Sequence, residues 1–279
     1  MPEPRRRRAP ARLRPQEEAD KRGNVSEGLA WLGRDPEPAS GPLLRLLRVL
    51  VRFVCFGLLR LRLNITGREN LPSGGGYILA AATHRSWIDP VLIALAVPPE
   101  PKPWFLGSGA TAFRRRWLER LLHRTGGMLP VWRGGVGIEH HVAAARAVLG
   151  AGAVFVMMPE GTIGGPPDRP TPFRGGTAVI ALRTGAPIVP LAIAGAEELY
   201  LGKRMACRLL PPVTARELAG EAWNGTPPAE GSKEELEIAR VITDRLEAII
   251  GEAVAEVWPP TVDAPSHPRR LKERLANWF

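Results

Sequence analysis

The sequence predicts an α/β fold, with a mostly parallel central sheet flanked by helices and an amphipathic, membrane-associating helix before it. Two observations predict the sheet: apolar runs of strand character alternate with helical periodicity, and the 279 residues are 44% hydrophobic, enough to fill a large core. A third observation predicts the N-terminal helix, because arginines recur at helical spacing through an apolar run before the alternation begins.

Four short apolar runs bounded by turn residues are predicted strands: 77–82, 128–132, 153–158 and 188–194. Helical periodicity predicts helices at 90–97, 115–124, 138–149 and 177–184, two of them closed by Gly126 and Gly185. A longer helix, 232–257, opens with the capping-box pattern Ser232-x-x-Glu235. Its predicted core-facing side chains are Leu236, Ile242, Leu246, Ile249 and Ile250.

The N-terminal apolar run, residues 43–60, carries arginines at positions 45, 48, 52 and 60. Its longest part without arginine is 53–59, far short of the roughly 20 residues that a membrane-spanning helix needs. At about 100° per residue, the four arginines fall within one arc and leave the opposite face apolar. Two interpretations remain open: the helix lies in the plane of an anionic membrane surface, or it packs on its own domain.

Composition divides the chain into four predicted segments. Residues 1–40 are expected to form a flexible basic arm, because they are rich in Arg, Pro, Glu and Gly and poor in large apolar groups. Residues 41–64 form the amphipathic interfacial helix, 65–258 the folded domain, and 259–279 a proline-rich, basic tail.

The net charge of +10 and the pI near 10.6 imply an anionic partner: a nucleic acid, an anionic membrane or a phosphorylated substrate. The sequence shows no nucleic-acid recognition motif, so nucleic acid is not expected. Only Cys55 and Cys207 are present, which excludes a disulfide framework and favours a reducing, cytoplasmic location. The histidines lack metal-ligand spacing, and we expect no metal.

The first candidate site is the pair His84 and Asp89, in the stretch that follows the strand 77–82. Loops at the carboxyl ends of strands are where open α/β sheets bind ligands, and a carboxylate beside an imidazole makes it a competent general base. Asp89 before Pro90 also predicts a helix start with Asp89 as N-cap. The pair is therefore interpreted either as a dyad or as a helix cap with an incidental histidine nearby.

Two later segments are candidates for ligand binding. Glu160 follows the strand 153–158 and would lie beside His84 if the two strands are neighbours, although it could instead only stabilise its own turn. Arg174 precedes the glycine-rich start of the helix 177–184, where free backbone N–H groups favour an anion. A helix start needs no ligand, so this second prediction also stays open.

Four ordered blocks resemble the glycerolipid acyltransferases, most closely the 1-acylglycerol-3-phosphate acyltransferases. The blocks are His84-x-x-x-x-Asp89, the residues 126–133, the Pro159-Glu160-Gly161-Thr162 run and the residues 185–191. The resemblance extends over about residues 60–215. It implies that the folded domain is an acyltransferase domain that works at the cytoplasmic face of the cell membrane as a peripheral or monotopic protein.

The resemblance also implies transfer of an acyl chain from a coenzyme A or acyl-carrier-protein thioester to a hydroxyl of a lysophospholipid. His84 would be the general base and Asp89 its orienting partner. The acceptor-binding residues would be Arg133, Glu160, Gly161, Thr162 and Arg174. No other cofactor is expected, and because a thioester is already reactive, direct attack by the hydroxyl needs no Ser or Cys nucleophile.

One position departs from the family pattern: Ile163 stands where an arginine linked to the acceptor phosphate is common. Either Arg174 or Arg133 takes over the phosphate, or the acceptor has no phosphate there. A lipid-binding protein that keeps the acyltransferase scaffold without catalysis is the alternative function.

Overall fold

The computed structural model describes residues 46, 49–74, 76–108, 127–131 and 138–262. Four predictions lie outside these residues: the basic arm, the helix 115–124 with its closing Gly126, Arg133, and the tail beyond residue 262.

Seven strands among the described residues form one sheet in the order β1-β7-β6-β2-β5-β3-β4. They are β1 (Arg62–Thr66), β2 (Ile78–Ala82), β3 (Pro103–Ser108), β4 (Met128–Val131), β5 (Val154–Met157), β6 (Ile188–Ala194) and β7 (Arg204–Leu209). Neighbouring strands are parallel except β6 and β7, which pair antiparallel. The predicted α/β class and the mostly parallel sheet are confirmed.

The four predicted strands are present as β2, β4, β5 and β6, whereas β1, β3 and β7 were not predicted. Strand β1 alternates exposed Arg, Asn and Thr with half-buried apolar residues, as an edge strand does, and this signal is weak in a short segment. Strand β3 begins with a proline and contains a glycine, both unfavourable for strands.

Five α-helices occur in the described ranges: α1 (Asp89–Ala96), α2 (Ile138–Gly150), α3 (Gly176–Thr184), α4 (Ala215–Ala219) and α5 (Lys233–Val257). Helix α3 ends at Gly185, whose φ of 69° is the left-handed conformation expected of a closing glycine. Helix α4 was not predicted; Thr214 and Glu217 form its capping box.

Two predicted caps differ from the structure. The N-cap of α1 is Ile88, and Asp89 is the first helical residue. Ser232 caps α5 as expected, accepting the Glu235 N–H at 3.1 Å, but the Glu235 carboxylate bonds the Gly231 N–H instead of returning to Ser232. Leu236, predicted to face the core, is 59% exposed, because the buried stripe of α5 passes through Ile238 instead.

Helices cover both faces of the sheet. Helices α2, α3, α4 and α5 pack on one face, against a core that includes Ile78, Phe155 and Ile188. Helix α1 packs on the other, with Leu79 and Val156. Every side chain of β2 is therefore buried, which is typical of a central parallel strand.

The N-terminal helix ends earlier than predicted. Residues 49–52 are α-helical, Phe53–Leu58 form a π-helix, and residues 62–64 already belong to β1 rather than to the predicted helix at 41–64. We call residues 49–58 the leading helix. In the parts of the chain that the structure describes, no helix is both long enough and apolar enough to cross a membrane.

One side of the leading helix packs on the domain and the other does not. Cys55 is buried, with Val51 half-buried against the same core. Leu50 and Phe53 are 54% and 58% exposed. The packing interpretation is thus correct for one side of the helix, and membrane contact remains a prediction for the other.

The site edge is the edge of the sheet at which β2, β5 and β6 end. Because β7 runs antiparallel to β6 and parallel to β1, the first residues of β7 and β1 lie at this same edge. The Gly202 N–H donates to the Leu59 carbonyl at 2.8 Å, tying the end of the leading helix to the loop before β7. The leading helix therefore joins the sheet at the site edge.

Candidate functional site

His84 and Asp89 meet at the site edge. Thr83, directly after β2, is anchored to β6 through its hydroxyl, which donates to the Ile193 carbonyl at 3.1 Å. The chain then turns, and α1 begins at Asp89, so that the His84 Nδ1 lies 2.8 Å from the Asp89 Oδ2. The Asp89 side chain is fully buried, while the His84 side chain is 14% exposed. The turn predicted to bring the pair together is present, and Nε2 is left as the ring nitrogen that can take a substrate proton.

Asp89 also holds the turn between the two residues. Its Oδ2 accepts the backbone N–H groups of Arg85 at 2.7 Å and Ser86 at 2.9 Å, in addition to the imidazole. Its Oδ1 is buried and has no hydrogen-bond partner in the described part of the chain. The carboxylate thus fixes both the backbone and the ring of the base, a different role from the predicted helix cap.

Glu160 lies beside His84, as expected from neighbouring β2 and β5. Its Oε2 accepts the His84 backbone N–H at 2.5 Å, and its Oε1 accepts the Thr171 N–H at 2.6 Å and hydroxyl at 3.0 Å. Both oxygens also contact the Arg85 guanidinium. The side chain has no exposed surface. These contacts join protein segments, and the predicted role of this carboxylate in acceptor binding stays untested.

The loop after Glu160 brings Gly161 against Arg174. A Cβ at Gly161, whose φ is 65°, would lie 2.8 Å from the Arg174 Cδ, so only glycine fits there. The Arg174 backbone N–H donates to the Pro159 carbonyl at 2.8 Å, and its exposed guanidinium has no ion-pair partner among the described residues. Thr162 is half-buried and Ile163 is 60% exposed. Glu160, Gly161, Thr162 and Arg174 are therefore brought together, and Arg133 lies outside the described residues.

Three residues at the site were not found from the sequence: Arg85, Thr171 and Glu247. The Glu247 carboxylate accepts the Phe173 N–H at 2.7 Å and so supports the segment that carries Arg174. Their contacts depend on loops from different strands, and no sequence spacing encodes them. Arg85 offered one signal, since it directly follows the candidate base in the His84-x-x-x-x-Asp89 block.

Neither cysteine can act as a nucleophile in this fold. Burial, together with the nearby negative charge of Asp89, raises the pKa of the Cys207 thiol to about 12. Burial also raises the pKa of Cys55. Because the thiolate is the reactive form, both groups are inert at neutral pH.

The Acyltransferase family model matches residues 62–194, which contain β1, the His84 turn, Glu160 and all of β6. Among solved structures, the fold is similar to the crystal structure of the 1-acyl-sn-glycerophosphate (LPA) acyltransferase PlsC from Thermotoga maritima, with a TM-score of 0.53 and 20% identity. The match covers 88% of this chain and 83% of that chain. A comparison with curated protein sequences gives no significant match.

The family match supports an acyltransferase activity, and the structural match shows the same kind of fold. The family match over residues 62–194 agrees with the resemblance of the four blocks to the glycerolipid acyltransferases.

Proposed function

We propose that this protein transfers an acyl chain from a coenzyme A or acyl-carrier-protein thioester to a hydroxyl of a lysophospholipid such as 1-acylglycerol-3-phosphate. The observation that carries the proposal is the 2.8 Å contact between His84 Nδ1 and the buried Asp89 carboxylate, in a turn at the site edge. A partly exposed imidazole backed by a buried acid is suited to accept a hydroxyl proton.

The acyl chain passes directly from the thioester to the acceptor hydroxyl, without an acyl-enzyme. His84 Nε2 removes the hydroxyl proton of the acceptor as its oxygen attacks the thioester carbonyl carbon. The tetrahedral intermediate expels the thiolate. The thiolate then accepts the proton that the imidazolium took from the acceptor hydroxyl. Asp89 stabilises the imidazolium that forms between these events and holds the ring in one tautomer. The products are an ester and a free thiol.

The acceptor binds on the loop side of the site, next to Thr162 and Arg174. The guanidinium of Arg174, which has no ion-pair partner among the described residues, binds the acceptor phosphate in place of the arginine that Ile163 replaces, with Arg133 as the second candidate. The exposed Ile163 specifically favours a second candidate, an acceptor without a phosphate at that position.

The proposed place of action is the cytoplasmic face of the cell membrane. The leading helix has an exposed apolar side and joins the sheet at the site edge, and Leu201, in the loop before β7 at the same edge, is 62% exposed. Apolar side chains together with the high positive charge suit an anionic lipid surface rather than a nucleic acid.

The test is incubation of the purified protein with labelled acyl-coenzyme A or acyl-carrier protein and a panel of phosphorylated and non-phosphorylated lysolipids, with products identified by mass. His84→Ala should abolish product formation without lowering the melting temperature, because the ring is partly exposed. His140→Ala, on helix α2, is the matched histidine control.

Full activity of His84→Ala would reject His84 as the base. Binding of lysolipids without turnover of any donor would favour the catalytically inactive lipid-binding protein instead.

A further inference from the structure

We propose that Arg85 is a positioning residue that, together with Glu160, holds the loop following Glu160 against the catalytic histidine. We call the pair of Arg85 and Glu160 the lock. The inference deepens the proposed acyl transfer and rests on it. It assigns a role to a buried arginine that touches neither donor nor acceptor.

The Arg85 guanidinium is saturated by protein groups. Its side chain is 2% exposed, and its Nε donates to the Pro166 carbonyl at 2.8 Å. Nη1 donates to the Gly164 carbonyl at 2.6 Å, and Nη2 to the Arg169 carbonyl at 2.7 Å. A segment without helix or strand is thus organised around one cation.

Glu160 closes the lock from the other side. Its Oε1 lies 3.0 Å from Arg85 Nη2, and its Oε2 accepts from Nη1 at 3.3 Å. The same carboxylate holds Thr171, at the far end of the loop, through both its N–H and its hydroxyl. Arg85 and Glu160 therefore fix the start, the middle and the end of the loop together.

The lock reaches the base through its backbone. The His84 N–H donates to Glu160, and the His84 carbonyl accepts from the Gly164 N–H at 2.9 Å and from Arg85 Nη1 at 3.2 Å. Asp89 fixes the imidazole at Nδ1, whereas the lock fixes the peptide groups on both sides of the same residue. The position of the imidazole relative to Thr162 and Ile163 on the loop is consequently fixed.

Only a guanidinium satisfies this arrangement. Five N–H groups in a planar fork reach three loop carbonyls and a carboxylate, whereas a lysine ammonium offers three N–H groups from one point. The loop is shaped to admit the fork: at Gly165, with φ of 108°, a Cβ would lie 2.4 Å from the Thr171 Cγ2 and 3.5 Å from Arg85 Nη1.

The first experiment compares Arg85→Lys with Arg183→Lys. Arg183 also forms a buried pair, with Glu235, but at the end of α3 away from the site edge. We expect Arg85→Lys to lower kcat/KM by roughly 100-fold, because a loop displaced by about 1 Å misplaces the acceptor. Arg183→Lys should lose stability while retaining the wild-type rate per folded molecule, as measured at a temperature well below both melting points.

A double variant separates positioning from folding. Arg85→Met leaves the Glu160 charge buried without its cationic partner, and adding Glu160→Gln removes that charge. We expect the melting temperature to recover part of its loss in Arg85→Met/Glu160→Gln while kcat/KM stays low, because the loop carbonyls still lack their donors. Recovery of both quantities together would show that the pair serves stability alone and would overturn the proposal.

Glu160→Gln alone distinguishes the lock from acceptor binding. The lock predicts a lower kcat, because His84 itself is displaced. An unchanged kcat and melting temperature with a raised acceptor KM would place Glu160 on the acceptor and overturn the proposal. A wild-type protein that is inactive with every donor and acceptor would instead reject acyl transfer, so the two failures are distinct.

Discussion

At the scale of the residue, Asp89 places three donors on a single oxygen: the imidazole of His84 and the backbone N–H groups of Arg85 and Ser86. The Asp89 carboxylate therefore supplies the negative charge next to the His84 imidazole and also determines the shape of the turn.

Asp89→Asn is therefore expected to lower kcat by roughly 100-fold or more, within the range of positioned acid–base catalysis. The amide cannot stabilise the imidazolium as a carboxylate does, and its NH₂ group opposes the donors of the turn. Steady-state kinetics with a parallel melting curve test this. Wild-type kcat in a well-folded Asp89→Asn protein would show that orientation of the ring does not depend on this acid.

The pairing of His84 with Asp89 could be predicted from the sequence, because a strand, a turn and a helix start fixed their separation. The surroundings of Glu160 could not. Its contacts depend on β5 lying next to β2 and on a loop that returns to Thr171, neither of which its local sequence specifies. Exposure of Ile163 at the expected phosphate position agrees with the departure already visible in the sequence.

At the scale of the element, a buried ion pair joins helices α3 and α5 at the end of the domain away from the site. Arg183 donates to Glu235 through Nε at 2.6 Å and Nη2 at 2.7 Å, and both side chains are almost fully buried. Arg183 Nη1 also donates to Glu139 on α2, so three helices meet at one guanidinium.

Arg183→Met should lower the free energy of unfolding by about 3 kcal/mol, because it leaves the Glu235 charge buried without its cationic partner. Arg240→Met is the matched control: its contact with Asp244 on α5 is 4.0 Å long and solvent-exposed, and its loss should cost less than about 0.5 kcal/mol. Denaturant unfolding at neutral pH measures both. Equal losses of unfolding free energy in the two variants would contradict a stabilising role of the Arg183–Glu235 ion pair.

Acid should weaken the wild type through the same pair. The hydrogen bond from Arg183 holds the pKa of Glu235 below its ordinary value of 4.5, against the opposing effect of burial. A lowered folded pKa contributes stability that is complete above pH 4.5 and is lost as the pH falls through the folded pKa. In Arg183→Met, protonation of the Glu235 carboxyl removes its buried charge and so stabilises the folded variant. The free energies of unfolding of the two proteins should therefore converge in that acid range. A constant gap would contradict the assignment.

The elements themselves were predictable where their patterns were strong. Buried β2, β5 and β6 are apolar throughout, and α2 and α5 show helical periodicity over many residues. Strand β7 carried a usable signal, since Met205, Cys207 and Leu209 alternate toward one face. The switch from α- to π-helix within the leading helix carries no comparable signal.

At the scale of the whole molecule, the leading helix, which carries exposed apolar side chains, joins the sheet at the site edge through its last residues, and the exposed Leu201 lies in the loop bonded to that end. Phe53 and Leu236 form a matched pair for testing what this edge contacts: they are 58% and 59% exposed, but Leu236 lies near the start of α5, by Arg183 and away from the site edge.

Phe53→Asp should weaken binding to anionic phospholipid vesicles at least roughly tenfold, since burying a Phe side chain contributes about 1.5–3 kcal/mol and an added carboxylate is repelled. Leu236→Asp should bind like the wild type. Vesicle sedimentation at low and high salt measures both, with neutral vesicles for comparison. Equal weakening by both substitutions, or none by Phe53→Asp, would contradict membrane contact at this edge.

The antiparallel step from β6 to β7 has a consequence for how a lipid would reach the base. By turning β7 and β1 around, it places the polypeptide's entry into the sheet on the same rim as the imidazole. On the proposed function, a lysolipid approached from that rim would keep its tail among other lipids while only its hydroxyl enters the site. Each CH₂ group moved into water costs about 0.8 kcal/mol. Access from this rim would therefore avoid the free-energy cost of extracting the whole acyl tail from the membrane.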